Sequence, residues 1–376
     1  MNKKTNYWGT GSIGKSILLF IPMLLLIMLM MFGSANGSDS ITQIARLLTI
    51  IFFGAIFFLI IYTGKNDKWR AMAFVVSALL FCISFINNLI AERGSMTFSN
   101  AEELSCTIPF CHIVTPMMII PAAVKQTILF PGSLVEGFAS ISAMLVIVLC
   151  SCIVLGRGFC SWGCFYGGWD DGTSRLKKTP VIKKVNNSYR WFSFAMLIIM
   201  ALWSAEAAEP TYCSWLCPFK AVTENERIVD TITLIKNIIF TLTFAGLVIV
   251  LPILTKKRIQ CATFCPMGAL LSLFNKINIF EVKNNTTVCI NCGKCDKACP
   301  MLAIERHCPT ITCSKCGKCV DACPTGAMKF HIKGTPINKH TTIARTLFIY
   351  PAYTFLVTLC GGSVVNGLAL IINFII

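Results

Sequence analysis

Sixteen of the 21 cysteines in this 376-residue chain fall into spaced patterns. The densest is Cys289-x2-Cys292-x2-Cys295-x3-Cys299-Pro300, repeated as Cys313-x2-Cys316-x2-Cys319-x3-Cys323-Pro324. Three thiolates on one tight loop can hold three corners of an iron–sulfur cubane, and the fourth Cys of each run closes the other cluster. One 4Fe-4S cluster is therefore expected on Cys289, Cys292, Cys295 and Cys323, and a second on Cys299, Cys313, Cys316 and Cys319. Zinc is the alternative for such thiols, but two complete runs, each closed by Cys-Pro, favour iron–sulfur. Such centres exchange single electrons, so this segment reads as an electron carrier; Cys308, between the runs, is left over.

Eight more cysteines form the pairs Cys106-x4-Cys111, Cys160-x3-Cys164, Cys213-x3-Cys217-Pro218 and Cys261-x3-Cys265-Pro266. Residues four apart on a helix share a face, so each x3 pair can aim two sulfurs at one site. Cys160, Cys164, Cys261 and Cys265 could hold an inner membrane cluster, with packed reduced thiols as the alternative. Cys106, Cys111, Cys213 and Cys217 could hold an outer cluster or form disulfides. No catalytic residue is identified.

The elements that position these thiols belong to a membrane protein. The chain is 55% hydrophobic and 13% charged, with a mean hydropathy of +0.70, which excludes a single soluble globule. Apolar windows at 16–32, 41–62, 71–90, 134–155, 191–204 and 237–254 predict six spans. A last stretch, 346–376, contains Pro351 and Gly361-Gly362 and reads as one span or a bent hairpin. Lys3, Lys4 and Lys15 precede the first window, which reads as a retained anchor rather than a cleaved signal. Lys65, Lys68, Arg70, the basic residues of 157–190 and Lys256-Lys257-Arg258 all fall on one side, and the positive-inside rule makes that side cytoplasmic. The net charge of +16 is then a topology signal rather than a nucleic-acid footprint.

The expected fold is mostly α: a polytopic helical membrane protein of about seven spans with a small α+β, two-cluster bacterial ferredoxin-like insert. Its divisions are 1–274, the membrane part with its Cys-x3-Cys loops; 275–335, a cytoplasmic ferredoxin domain; and 336–376, the C-terminal span or hairpin. The N-terminus is expected in the cytoplasm and the chain in the inner membrane. The insert is basic, which suits an acidic redox partner or an anionic membrane face.

Phe159-Cys160-Ser-Trp-Gly-Cys164, Tyr212-Cys213-Ser-Trp-Leu-Cys217-Pro218-Phe219 and Cys261-Ala-Thr-Phe-Cys265-Pro266-Met-Gly-Ala269, followed by the two ferredoxin runs, resemble the NapH/NosR-type polyferredoxins, including YccM-like membrane iron–sulfur proteins. The resemblance covers residues 156–330. It implies electron transfer between the quinone pool and a redox protein partner or multisubunit complex, as a quinol dehydrogenase-type oxidoreductase component. Phe165 follows Cys164 where the family usually carries Pro.

Two other readings share the thiols: a metal reductase or cofactor-assembly factor, and a transmembrane thiol/disulfide relay. Gly9-x4-Gly14-Lys15-Ser16 matches a phosphate-binding loop in letters, but it runs straight into an apolar span, so no nucleotide is expected. Asp170 and Asp171 read as a solvated pair, with quinol-proton acceptance as the alternative. His112 reads as a polar interface residue more readily than as a cluster or haem ligand. The remaining thiols, Cys82, Cys150, Cys152 and Cys360, read as buried packing groups.

Overall fold

The computed structural model describes residues 9–33, 39–93, 97–98, 111–126, 141–223, 225–226, 228–337 and 341–375. Among them, six helices are long and apolar enough to cross a bilayer: Ile13–Phe32, Ser40–Thr63, Asn66–Asn88, Asn187–Ala207, Thr231–Thr255 and Thr341–Ile375. Their apolar residues divide by packing. In the first helix Met23 and Ile27 are buried against neighbours, whereas Leu18, Leu25 and Leu29 face outward.

The fourth apolar window does not run straight. Leu145–Val154 and Gly156–Trp162 meet at a bend of 116°, so the chain breaks or turns back there. Gly156 makes the bend with φ +55°, and a Cβ on it would lie 2.3 Å from Asn275 Oδ1. Only a residue without a side chain satisfies both demands.

The C-terminal stretch, in contrast, is a single 35-residue helix that continues through Pro351 and Gly361-Gly362. The hairpin alternative is thereby set aside. Pro and Gly persist in membrane helices where neighbouring helices support the backbone. Here Tyr353 Oη donates to Phe53 O (2.7 Å), and a Cβ on Gly361 would lie 2.5 Å from Met31 Cε.

Between the last two long helices lies the only segment rich in strand among the described residues. Phe280–Asn284 pairs antiparallel with Met328–Ile332, Phe280 opposite Ile332, and a smaller ladder joins Ile304–Glu305 to Cys308–Pro309. Two five-residue helices, Lys294–Ala298 and Lys318–Ala322, lie between the outer strands. The unit sits directly on the membrane helices. Phe348 of the last helix is fully buried, with ring centroids 5.6 Å from Phe280, 5.4 Å from Phe330 and 6.0 Å from Trp162. Arg258 N donates to Pro300 O (2.8 Å), Arg190 Nη1 to Leu302 O (3.0 Å), and Asp67 N to Asp321 Oδ2 (2.8 Å).

Candidate iron–sulfur sites

Local sequence shapes the cysteine loops before packing does. A residue that precedes Pro is driven to extended backbone. Cys217, Cys265, Cys299 and Cys323 obey, each ending a short helical turn with ψ between 112° and 118°. Cys164 precedes Phe165 and still has ψ 107°, so the departure from Pro leaves the conformation intact. Phe165 is fixed instead by its ring, stacked on Phe81 (3.6 Å between centroids) and tilted on Tyr166 (4.3 Å). In the ferredoxin runs, Gly293 (φ +65°) and Gly317 (φ +83°), with Asn291 (φ +51°) and Lys315 (φ +50°) two residues before them, give each thiol-bearing loop its left-handed turns.

The structure gathers the thiols into distinct sets. Cys289, Cys292, Cys295 and Cys323 line one cavity, and Cys299, Cys313, Cys316 and Cys319 line a second. These are the two groupings expected from the run spacing. Burial pushes the Cys313 thiol up to about 12 and the Cys295 thiol up to about 11. Groups so placed are poor thiolates in water, and coordination to a metal is what would deprotonate them. The sequence reading missed His307, which lines the first cavity with Nδ1 2.9 Å from Asp296 Oδ2 and 3.9 Å from Cys295 Sγ. Its type gives no signal within the cysteine runs. Cys308 is exposed.

Cys160, Cys164, Cys261 and Cys265 line a third cavity with His112, Tyr166, Phe219 and Gln260. Cys164 and Cys265 directly precede the nine-residue helices Phe165–Thr173 and Pro266–Phe274, so each stands at a helix start. Helix starts favour negative charge.

Two fully buried guanidiniums flank this quartet. Arg258 donates to Ser161 Oγ (2.7 Å), Cys160 O (2.6 Å) and Gly167 O (3.0 Å), and its Nη2 lies 3.4 Å from Cys261 Sγ. Arg157 donates to Ser272 Oγ (2.6 Å) and Cys261 O (2.9 Å). Neither makes a direct ion pair among the described residues, although the buried carboxylates of Asp170 and Asp171 act on Arg258 from further off, and the Nε of each arginine has no hydrogen-bond partner. Buried cations are costly unless an anion compensates them. A cubane held by four thiolates is dianionic, so donor set and charge together fit a cluster here.

The thiols assigned by topology to the other face are close by. Cys111, Cys213 and Cys217 pack in one cluster with Tyr166, Phe219 and Tyr212; Tyr166 and Phe219 also wall the quartet's cavity. The two groups thus share side chains instead of standing a bilayer's thickness apart. Cys106 lies outside the described residues.

The second ferredoxin cavity is joined to the quartet by direct contacts. Trp162, two residues after Cys160 and fully buried, donates from Nε1 to Lys315 O (3.2 Å), between Cys313 and Cys316. Arg258 touches the residue after Cys299 with its backbone and Cys261 with its side chain. Lys315 donates to Leu155 O (2.8 Å) and Asn275 Oδ1 (2.6 Å), and burial pushes its ammonium down to about 7.

Asp170 and Asp171 are not a solvated pair, since both are fully buried. Asp171 pairs with Arg70 (2.9 Å) and Arg175 (3.2 Å), and Asp170 Oδ2 accepts from Cys261 N (2.8 Å). Their partners come from distant segments, which no local pattern reveals.

A 4Fe-4S binding domain profile matches residues 136–183, 189–225 and 237–283, and two other profiles of that description match 286–302 and 312–329. Two uncharacterized proteins of Methanocaldococcus jannaschii are 26% identical to the chain. One aligns over 210 residues (53% of this chain, 81% of the relative) and the other over 253 (64% and 82%). The "Putative electron transport protein YccM" of Escherichia coli K12 is 26% identical over 188 residues, 46% of this chain and 49% of that protein. No solved structure matches the chain significantly.

Proposed function

We propose that this chain, which fits the YccM/NapH-like polyferredoxin family of membrane iron–sulfur electron-transport proteins, passes electrons between the quinone pool and a redox partner. Its ferredoxin insert faces the cytoplasm in this reading. Cys289, Cys292, Cys295 and Cys323 hold one cluster, Cys299, Cys313, Cys316 and Cys319 a second, and Cys160, Cys164, Cys261 and Cys265 a third within the membrane. Cys111, Cys213 and Cys217, with Cys106, are the next group along the route.

The observation that carries the proposal is the unbroken contact from the second ferredoxin cavity through Trp162 and Arg258 to the buried quartet. Bound clusters supply reversible one-electron chemistry. The chain holds the thiols in place, keeps water from the quartet and compensates its charge with Arg157 and Arg258.

Iron and acid-labile sulfide per chain, with electron paramagnetic resonance after anaerobic purification, test this. About twelve iron atoms are expected, or about sixteen if the fourth thiol group is also loaded. Cys261→Ser with Cys265→Ser should remove about four. A wild-type value near eight, unchanged by that double substitution, would confine the chemistry to the insert and leave the membrane thiols to a disulfide relay.

A further inference from the structure

His112 stands where the two membrane thiol groups meet. It is buried and lines the cavity of Cys160, Cys164, Cys261 and Cys265, with Nε2 3.2 Å from Cys164 Sγ. The residue before it, Cys111, packs in the other group with Cys213 and Cys217, its sulfur 3.8 Å from Tyr166 Oη. Cys111 is extended (φ −97°, ψ 131°), so successive side chains leave the backbone in different directions. The imidazole is boxed in by rings, edge-on to Phe159 (5.3 Å) and Phe165 (5.5 Å) and tilted on Tyr166 (5.8 Å).

We propose that His112 is a positioning residue of the buried quartet: its Nε2–H donates to the Cys164 sulfur, sets the reduction potential of the cluster held there, and ties that site to the Cys111 group through one peptide bond. The proposal rests on the reading of the quartet as a cluster site. A ligating thiolate can only accept, so the ring proton facing it must lie on Nε2. Hydrogen bonds to cluster sulfurs stabilise the more negative, reduced form and so raise the potential. One electron enters or leaves the site with no bond made or broken and no proton released.

The experiment is a redox titration of the full-length protein followed by electron paramagnetic resonance, with iron counted in the same samples. In His112→Leu the quartet's signal should shift to lower potential, while the ferredoxin signals stay in place. The reduced-to-oxidised ratio at fixed potential should fall by about tenfold, which is about 59 mV for a one-electron couple. His112→Gln keeps an amide N–H at similar reach and should recover most of the shift.

Loss of the quartet's iron in the Leu variant alone would also support the proposal. An unchanged midpoint in His112→Leu with iron intact overturns it, as do equal shifts in the Leu and Gln variants, or loss of the iron in both, which would assign His112 to packing. A wild-type protein with only about eight irons is a different outcome: it removes the cluster reading itself.

Discussion

Arg258 shows how much one side chain does at the buried quartet. A single guanidinium bonds Ser161 Oγ, Cys160 O and Gly167 O and approaches Cys261 Sγ, so it fixes both cysteine loops at once. Arg258→Met should strip about four irons from the chain and leave about eight, with the ferredoxin resonance signals unaltered. Arg258→Lys should fare little better, because a point ammonium lacks the planar fork that spans these acceptors. Iron content that is unchanged in both variants would mean that the loops hold themselves. In the sequence, Arg258 counts only as one positive charge at a span's end. Arg70, Arg157, Arg190 and Arg345 share that ambiguity, for all are buried. Charge type is legible in one dimension, but burial depends on distant segments: Arg70 and Arg258 bond Ser161, Arg157 bonds Ser272, Arg190 bonds Leu302 and Arg345 bonds Ile60.

At the scale of elements, the bend at Gly156 brings Cys160 and Cys164 under the insert. Gly156→Ala meets two penalties, a left-handed φ and a Cβ 2.3 Å from Asn275 Oδ1. Asn275 is itself a hub, donating to Ile311 O (2.6 Å) and Cys313 O (2.9 Å) and accepting from Arg157 N (3.1 Å) and Lys315 Nζ (2.6 Å). The substitution should cost about 1–3 kcal/mol from backbone strain alone, before Asn275 is displaced. Gly246→Ala is the control, since its added Cβ meets nothing within 4 Å beyond the adjacent residues and backbone of its own helix. Thermal unfolding in detergent separates them: a lower midpoint for Gly156→Ala and little change for Gly246→Ala. Equal midpoints would remove the bend from the argument. Hydropathy made the apolar stretch at 134–155 legible but not its turn, because a window average carries no dihedral information. Residue type alone left Pro351 and Gly361-Gly362 open as a bend, although close packing on Met31 and Phe53 sustains the helix.

For the whole molecule, the question is whether the insert is a tethered carrier or a fixed part of the membrane assembly. The ferredoxin thiols were legible because each run is local in sequence, whereas their docking was not, since Phe348, Trp162 and Arg258 come from three separate elements. Phe348 is the shared contact, fully buried under Phe280, Phe330 and Trp162. Phe348→Ala should cost about 3–5 kcal/mol by opening a cavity at this junction. Ile343, on the same helix but half-exposed, should tolerate Ala with little effect. A fixed assembly predicts that Phe348→Ala raises hydrogen exchange in both strands of the insert, Phe280–Asn284 and Met328–Ile332, while iron stays at the wild-type count. Reduction of the insert by a soluble electron donor should then proceed as before, yet the appearance of the electron in the buried quartet's signal should slow, because the Trp162–Lys315 contact no longer holds. If transfer and exchange both match the wild type, the insert moves independently, and electrons reach the membrane thiols by collision rather than through this junction.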